Sequence, residues 1–407
     1  MKSDFFTRNR AAFCAQLPAN SFVAIAGFTS MQGANDQAAP FEQEANFWYL
    51  TGIEEPDWRL FLDVDGGQEW LVSPQRTFAR QMFDGSVTPE QAMARSGVKN
   101  IISKKEGAEI LKRLLASKKQ VHTVKPLPMR LYGLVPNPAP ARLASQLKGL
   151  EVVDARLLLA RQRAVKQPEE LAEMQGAIDA TIDGFRAVMP RLKNCGTEYE
   201  VDGILTGTFR GNGFTHAFEP IIASGKNTCV LHYPLPKDLL KQNDWLLMDV
   251  GARRDRYGAD ITRTLPIGNP SARHTEVYEA VEHMHKYVFG LLQDGIDAKE
   301  YFEKSYTFVG KELKKLGLIT TIKLDATSVF KFMPHAVSHG LGVDTHDPLG
   351  RPEKLKENMV LTVEVGAYIP KEGIGVRLED DVRITKDGAV NMSGKLPISL
   401  AAIRKML

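Results

Sequence analysis

Five side chains in the C-terminal half of the sequence, Asp249, Asp260, His339, Glu364 and Glu379, have the types and spacing of a metal centre. Asp249 and Asp260 bound the stretch DVGARRDRYGAD, which reads as two half-buried strands, WLLMDVGA and YGADITRTL, joined across a tight polar turn. In that pairing both carboxylates can point the same way, and they repel unless a cation sits between them; a divalent metal is the usual answer. His339 lies in PHAVSHGLGVDTHD, Glu364 follows LTV in an apolar strand, and Glu379 sits in GVRLEDDVRIT about one hairpin further on. Four carboxylates with one imidazole suit Mn, Co or a similar borderline ion, and the donors suffice for two ions sharing ligands.

Each residue alone admits a plainer reading. An Asp at a strand end is often solvated, a lone His often satisfies a core hydrogen bond, and Glu379 could simply pair with Arg377. The metal reading gains weight because Asp249, Glu364 and Glu379 all interrupt runs of Val, Leu, Ile and Met where burial is expected. A buried, unpaired charge is too costly to keep three times.

The chain that must position these groups has 407 residues, enough for two domains, with 43% apolar and 25% charged residues, an ordinary globular composition. A net charge of +3 and short basic runs such as KNIISKK and KKLG lack the patch that a nucleic-acid partner would need. Cys14, Cys195 and Cys229 are odd in number and without CxxC spacing, which fits a reducing compartment and argues against a zinc knuckle or disulfide scaffold. Cys229 reads as a small core residue rather than a nucleophile, since no base is assigned to it. The N-terminal text shows no secretory apolar segment and no apolar run is long enough to span a bilayer, so no membrane partner and a cytoplasmic location are expected.

Along the chain, an amphipathic helix and the strand SFVAIAGF open an N-terminal α/β domain. FWYLTG reads as an aromatic strand stopping at a Gly turn, and RLFLDVDGGQEWLV as a hairpin around Asp65, Gly66 and Gly67. Helical text at 88–95 and 106–118 alternates with short strands at 98–103 and 121–124, and the Pro-rich segment 125–140 reads as extended surface chain. A helix at 141–148 and a strand at 151–153 complete this domain. The boundary falls near 157–162, giving domains 1–159 and 160–407. Pro168, Glu169 and Glu170 make a helix N-terminus, and residues 171, 174, 178, 182 and 185 form an apolar stripe of helical period. Helices at 168–190, 197–209, 271–292 and 299–316 around antiparallel strands give an α+β domain, and no phosphate-binding or dinucleotide loop occurs.

DVGARRDRYGADITRT, SHGLGVDTHD, MVLTVEVGAY and GVRLEDDVRIT resemble the four metal-bearing blocks of the Xaa-Pro peptidases, the aminopeptidase P and prolidase branch of the metallopeptidases with the pita-bread fold. FEQEANFWYLTGIEEP and RAVKQPEE are similar to the N-terminal domain and to the opening of the catalytic domain of the same enzymes, so the resemblance runs from about residue 3 to 400. It implies a pita-bread catalytic domain behind an aminopeptidase P-like α/β domain. It also implies two ions, Mn with Co or Zn as alternatives, held by Asp249, Asp260, His339, Glu364 and Glu379. Asp260 and Glu379 match the bridging ligands, His232 and His346 the substrate-side histidines, and His335 a histidine lining the pocket. Arg377 matches an arginine bonded near the cluster and Tyr368 the tyrosine four residues after the ligand Glu. The sequence departs from the family in three places. TVEVG replaces TVEPG, so Val365 stands for a proline; MFDG, with Phe83, replaces a Trp-Phe-Gly-Arg stretch; and the loop 347–358 is short.

The activity implied is hydrolysis of the bond between an N-terminal residue and a following proline, by a water bridging two ions. Glu364 is the candidate proton shuttle, and His232 and His346 can donate to the carbonyl oxygen as it gains charge. The alternatives are an Xaa-Pro dipeptidase, whose closed end would need a cation such as Arg163 or Arg351, and a non-catalytic binding protein on the same fold. Homologous enzymes also imply a dimer or tetramer.

Overall fold

The computed structural model of the chain describes residues 1–126 and 134–407, so that residues 127–133 of the Pro-rich segment lie outside it. It divides into two compact units, Met1–Gln162 and Arg163–Leu407.

The first unit runs α1 (Ser3–Cys14), β1 (Ser21–Ala26), α2 (Ala45–Thr51), β2 (Arg59–Asp63), β3 (Gln68–Val72), α3 (Phe78–Asp84), α4 (Pro89–Ser96), β4 (Asn100–Ile102), α5 (Lys104–Ser117), β5 (Gln120–Thr123), α6 (Ala139–Ala144) and β6 (Glu151–Asp154). Its sheet has the order β4-β3-β2-β1-β5-β6, antiparallel through β1, β2 and β3 and parallel elsewhere. Phe22, Phe61, Trp70, Leu114, Val121 and Leu143 fill one core cluster of this unit. Thr88 and Ser103 start α4 and α5 with reciprocal capping boxes.

Two expectations are corrected here. FWYLTG is not a strand but most of α2. Every residue of that run is buried, so no periodicity separates helix from strand, and the ends decide. Glu44 caps the start by accepting from the Phe47 amide at 2.6 Å, and Gly52, at φ +69°, closes the end in the left-handed region. Phe6 and Phe5 meet Trp48 and Tyr49 edge-on at 5.5 and 5.7 Å. The Pro-rich segment also ends in helix rather than extended chain, because Pro140 sits in the first turn of α6, where its missing N–H has no partner to lose.

After α7 (Arg156–Ala164), the second unit contains α8 (Pro168–Val188), α9 (Glu198–Gly211), β7 (Thr215–His216), β8 (Ile221–Ser224), β9 (Asp244–Val250), β10 (Ala252–Arg254), β11 (Tyr257–Gly258), β12 (Ile261–Ile267), α10 (Ala272–Gly290), α11 (Ala298–Lys315), β13 (Val360–Ile369), β14 (Ile374–Thr385) and β15 (Gly388–Asn391). The main sheet is antiparallel, in the order β13-β14-β12-β9-β8, with β15 on the end of β14. The turn from β10 to β11 places Asp255 and Arg256 at φ 48° and 74°, the mirror-type geometry that matches strand twist. At Gly251 the backbone passes so close to Ala259 that an added Cβ would lie 1.8 Å from its carbonyl oxygen.

The register of this sheet decides the site. Glu364 pairs with Glu379, Glu379 with Thr262, and Thr262 with Asp249, so four polar side chains form one row across four strands. Since side chains alternate between faces, Arg377 and Tyr368 share the side of Glu379 and Glu364.

Candidate metal centre

Asp260 enters beside this row just before β12, two residues ahead of Thr262. His339 arrives on a segment laid along β13: the Thr362 amide donates to the His339 carbonyl at 2.9 Å and the Glu364 amide to the Val337 carbonyl at 3.0 Å. One edge pairing therefore fixes both His339 and Glu364. His339 Nδ1 lies 3.0 Å from the Gly340 carbonyl, which leaves Nε2 facing Asp260 Oδ2 at 3.5 Å and Glu379 Oε1 at 3.8 Å. Three overlapping groups result: Asp249, Asp260 and Glu379; His339, Glu364 and Glu379; and Asp260, His339 and His346, each with donor atoms within 4.8 Å of one another.

The electrostatics of this cluster call for a cation. Burial, then the charges of Asp249 and Glu364, push the Asp260 carboxyl well above the usual carboxylate range. Burial and the neighbouring Asp260 do the same to Glu379, and burial raises Glu364 against the opposing pull of Arg377 and His339. Asp249 Oδ1, Glu379 Oε1 and Asp381 Oδ1 are buried without a hydrogen-bond partner among the described residues. The free oxygens of Asp249 and Glu379, among the donors of these three overlapping groups, fit a divalent cation.

The other residues singled out in the sequence surround this cluster. Arg377 donates to Asp249 Oδ2 at 2.6 Å, to the Tyr368 hydroxyl at 2.9 Å and through Nε to Thr262 Oγ1 at 3.3 Å. Burial works against its charge, but Tyr368, Asp249 and Glu364 hold it more firmly protonated than usual. His335 Nε2 lies 2.9 Å from the Tyr368 hydroxyl and its Nδ1 3.4 Å from Glu364 Oε1; burial, then Arg377, pushes its pKa down to about 3, so the ring is neutral. The His346 ring stands edge-on to His339 at 4.5 Å, with its pKa lowered by partial burial and by the neighbouring His339 and His232. His232 is exposed on the loop after β8, near enough to act on the charges of Glu364 and His346.

Sequence reasoning misses three contributors. Thr262 links Arg377 to Glu379 by donating to Glu379 Oε2 at 2.8 Å, and Asp381 Oδ2 accepts the Asp260 amide at 3.1 Å. Arg263, fully buried, spends its donors on the carbonyls of Thr262, Glu379, Leu396 and Pro397 and on Asp380 Oδ1. The available signal is parity, since Thr262 follows Asp260 by two residues and so shares its face.

Residues 172–386 match Metallopeptidase family M24, and residues 6–123 match the aminopeptidase P N-terminal domain. The chain is 31% identical to Xaa-Pro aminopeptidase 3 of Mus musculus over 399 residues, 92% of this chain and 78% of that one. It is 28% identical to Xaa-Pro aminopeptidase of Haemophilus influenzae over 426 residues, 100% of this chain and 97% of that one. Among solved structures, the low-pH form of aminopeptidase P from Escherichia coli matches with a TM-score of 0.85 at 26% identity, covering 100% of this chain and 98% of that one. Proline aminopeptidase P II from Yersinia pestis matches with a TM-score of 0.84 at 26% identity, covering 100% and 99%. The α+β architecture is the pita-bread fold of these enzymes behind their N-terminal α/β domain. With the family match spanning more than half of the sequence, the chain belongs to metallopeptidase family M24.

Proposed function

We propose that this protein is a dinuclear metal-dependent Xaa-Pro aminopeptidase, releasing an N-terminal residue from a following proline. The observation that carries this reading is the set of five donors, Asp249, Asp260, His339, Glu364 and Glu379, in a chain similar over its length to Xaa-Pro aminopeptidases. These residues would hold two divalent ions, and such ions supply Lewis acidity and a water acidic enough to attack a carbonyl near neutral pH. Mn is the preferred metal, with Co or Zn as alternatives, because oxygen donors outnumber the single imidazole.

Glu364, at the edge of the donor row, takes the proton from the attacking water and passes it to the proline nitrogen as the amide breaks. His346 and His232 donate to the carbonyl oxygen as negative charge develops there. A neutral imidazole retains one N–H for this purpose. The chain His335, Tyr368, Arg377, Asp249 holds one carboxylate oriented through hydrogen bonds of 2.9, 2.9 and 2.6 Å.

Peptide length turns on the end of the cleft beyond the proline. Arg163, almost fully buried, is paired with both Asp344 and Asp347, so it does not serve as a cap for a proline carboxylate. The dipeptidase alternative then rests on Arg351, exposed in the short loop 347–358. We therefore place the longer peptide first. Comparing kcat/KM on Ala-Pro and Ala-Pro-Ala-Ala at equal metal loading decides it: a dipeptide preference above about tenfold, roughly 1.4 kcal/mol, overturns the choice. Full activity in a sample verified as metal-free would sink the metallopeptidase reading itself.

Self-association into a dimer or tetramer is part of the proposal, supported by the exposed Phe78, Met82 and Phe83 on α3. Light scattering that gives a stable 45.2 kDa particle at micromolar concentration would refute it. The three free thiols suit a reducing compartment such as the cytoplasm.

A further inference from the structure

Glu198, at the start of α9, is fully buried, and its carboxylate gathers donors from two separate stretches of chain. Oε1 accepts from the Ser224 amide at 2.6 Å, the Ser224 hydroxyl at 2.7 Å and Asn227 Nδ2 at 3.3 Å. Oε2 accepts from the Asp238 amide at 3.0 Å. Ser224 and Asn227 precede His232, and Asp238 follows it. The two stretches are joined again where Asn227 Nδ2 donates to Asp238 Oδ2 at 2.9 Å. The backbone of the same turn adds the Glu198 amide to the Asp238 carbonyl at 3.0 Å and the Leu240 amide to the Gly196 carbonyl at 2.9 Å.

Between these anchors Val230 and Leu235 are exposed together with His232, and Tyr233 packs inward against the Ile221, Ala223 and Leu247 cluster. A loop with one inward anchor takes the rest of its shape from where its ends are tied. We infer that Glu198 is a positioning residue for His232, tying both ends of its loop to one buried carboxylate. A carboxylate suits this place: it has lone pairs for four donors at once, and the first turn of a helix favours negative charge. An alanine there would leave the Ser224 and Asp238 amides without their acceptor and release both ends of the loop.

This inference rests on the reading of His232 as a donor to the substrate, and two readouts separate the two ideas. The first is trypsin cleavage after Lys226 and Lys237, exposed residues on either side of His232, in the full-length metal-loaded protein. Glu198→Ala should accelerate cleavage at these bonds by about tenfold or more as the loop opens. The second is a double-mutant cycle on an Xaa-Pro peptide. Glu198→Ala should lower kcat by about tenfold or more with KM nearly unchanged, the Mn stoichiometry measured by calorimetry should stay as in the parent, and Glu198→Ala with His232→Ala should be no slower than His232→Ala alone. Glu198→Gln, which keeps one acceptor oxygen, should recover part of the loss. Should Glu198→Ala not fold, Asn227→Ala removes the two bonds of one side chain, to Glu198 and to Asp238, while Glu198 keeps the Ser224 and Asp238 amides, and should shift cleavage in the same direction. Unchanged cleavage, or losses that multiply in the double variant, would overturn the inference alone. Full activity in His232→Ala would remove the substrate role of His232 and the inference with it.

Discussion

Thr262 Oγ1 donates a 2.8 Å hydrogen bond to Glu379 Oε2 while receiving one from Arg377 Nε at 3.3 Å. One hydroxyl therefore orients a carboxylate of the donor row and is itself oriented by a buried cation.

Thr262→Val keeps the shape and removes the hydroxyl, leaving Glu379 free to turn. Mn affinity, titrated calorimetrically into the metal-free protein, should weaken by about 10–100-fold, with Thr262→Ser close to the parent. Equal affinities for the valine variant and the parent would contradict this role.

His346→Ala and Arg377→Ala should each lower kcat by roughly 10²-fold with a smaller change in KM, because the interactions they serve strengthen as the carbonyl gains charge. Steady-state kinetics on an Xaa-Pro peptide checks this. A raised KM with unchanged kcat for His346→Ala would move that residue from the reaction to ground-state binding.

Arg163→Ala should destabilise the protein by about 3 kcal/mol, since Asp347 would stay buried with Lys166, at 3.2 Å, as its remaining ion-pair partner among the described residues. Urea unfolding of the metal-free protein measures it. A loss below about 1 kcal/mol, the range of an exposed pair, would mean that the carboxylate finds water instead.

Glu170 predicts a pH dependence away from the metal centre. Burial pushes its carboxyl up to about 7 from an ordinary 4.5, against the pull of Lys166. The folded state thus holds this proton more tightly than the unfolded chain. The resulting stability is complete below the ordinary value and is lost as pH rises through about 7. Glu170→Gln keeps an oxygen for the Tyr257 hydroxyl, which now donates to Glu170 at 2.8 Å, and removes the titration. The loss of unfolding free energy between about pH 5 and 8 should be smaller in the variant, by about 1–3 kcal/mol. Parallel pH profiles for the two proteins would show that Glu170 does not titrate in this range.

Much of the architecture is legible in the sequence where patterns are strong. Alternating apolar runs mark the strands around Asp249, Glu364 and Glu379, and the stripe from Leu171 to Phe185 marks α8. Asp249, Glu364 and Glu379 stand out because charges interrupt those runs. What stays hidden depends on register or on partners distant in sequence. α2 is buried all round and has no period to read, while Thr262, Arg263 and Glu198 are ordinary residues until pairing brings up their partners. The role of Thr262 needs a pairing with Glu379, 117 residues away, which no local window contains.

That separation also sets an order of events during synthesis. When a ribosome has delivered β9 and β12, two of the acidic donors exist, but on a hairpin that lacks Glu379 as its neighbour. His339, Glu364 and Glu379 emerge only after two further long helices, and a slip of one residue as β14 docks on β12 would turn Glu379 to the opposite face. A nascent chain therefore carries this pair of aspartates past the cell's metal pool from residue 260 until residue 379 is added. Its full donor set is assembled in one late step, when β14 seats against β12 in the correct register.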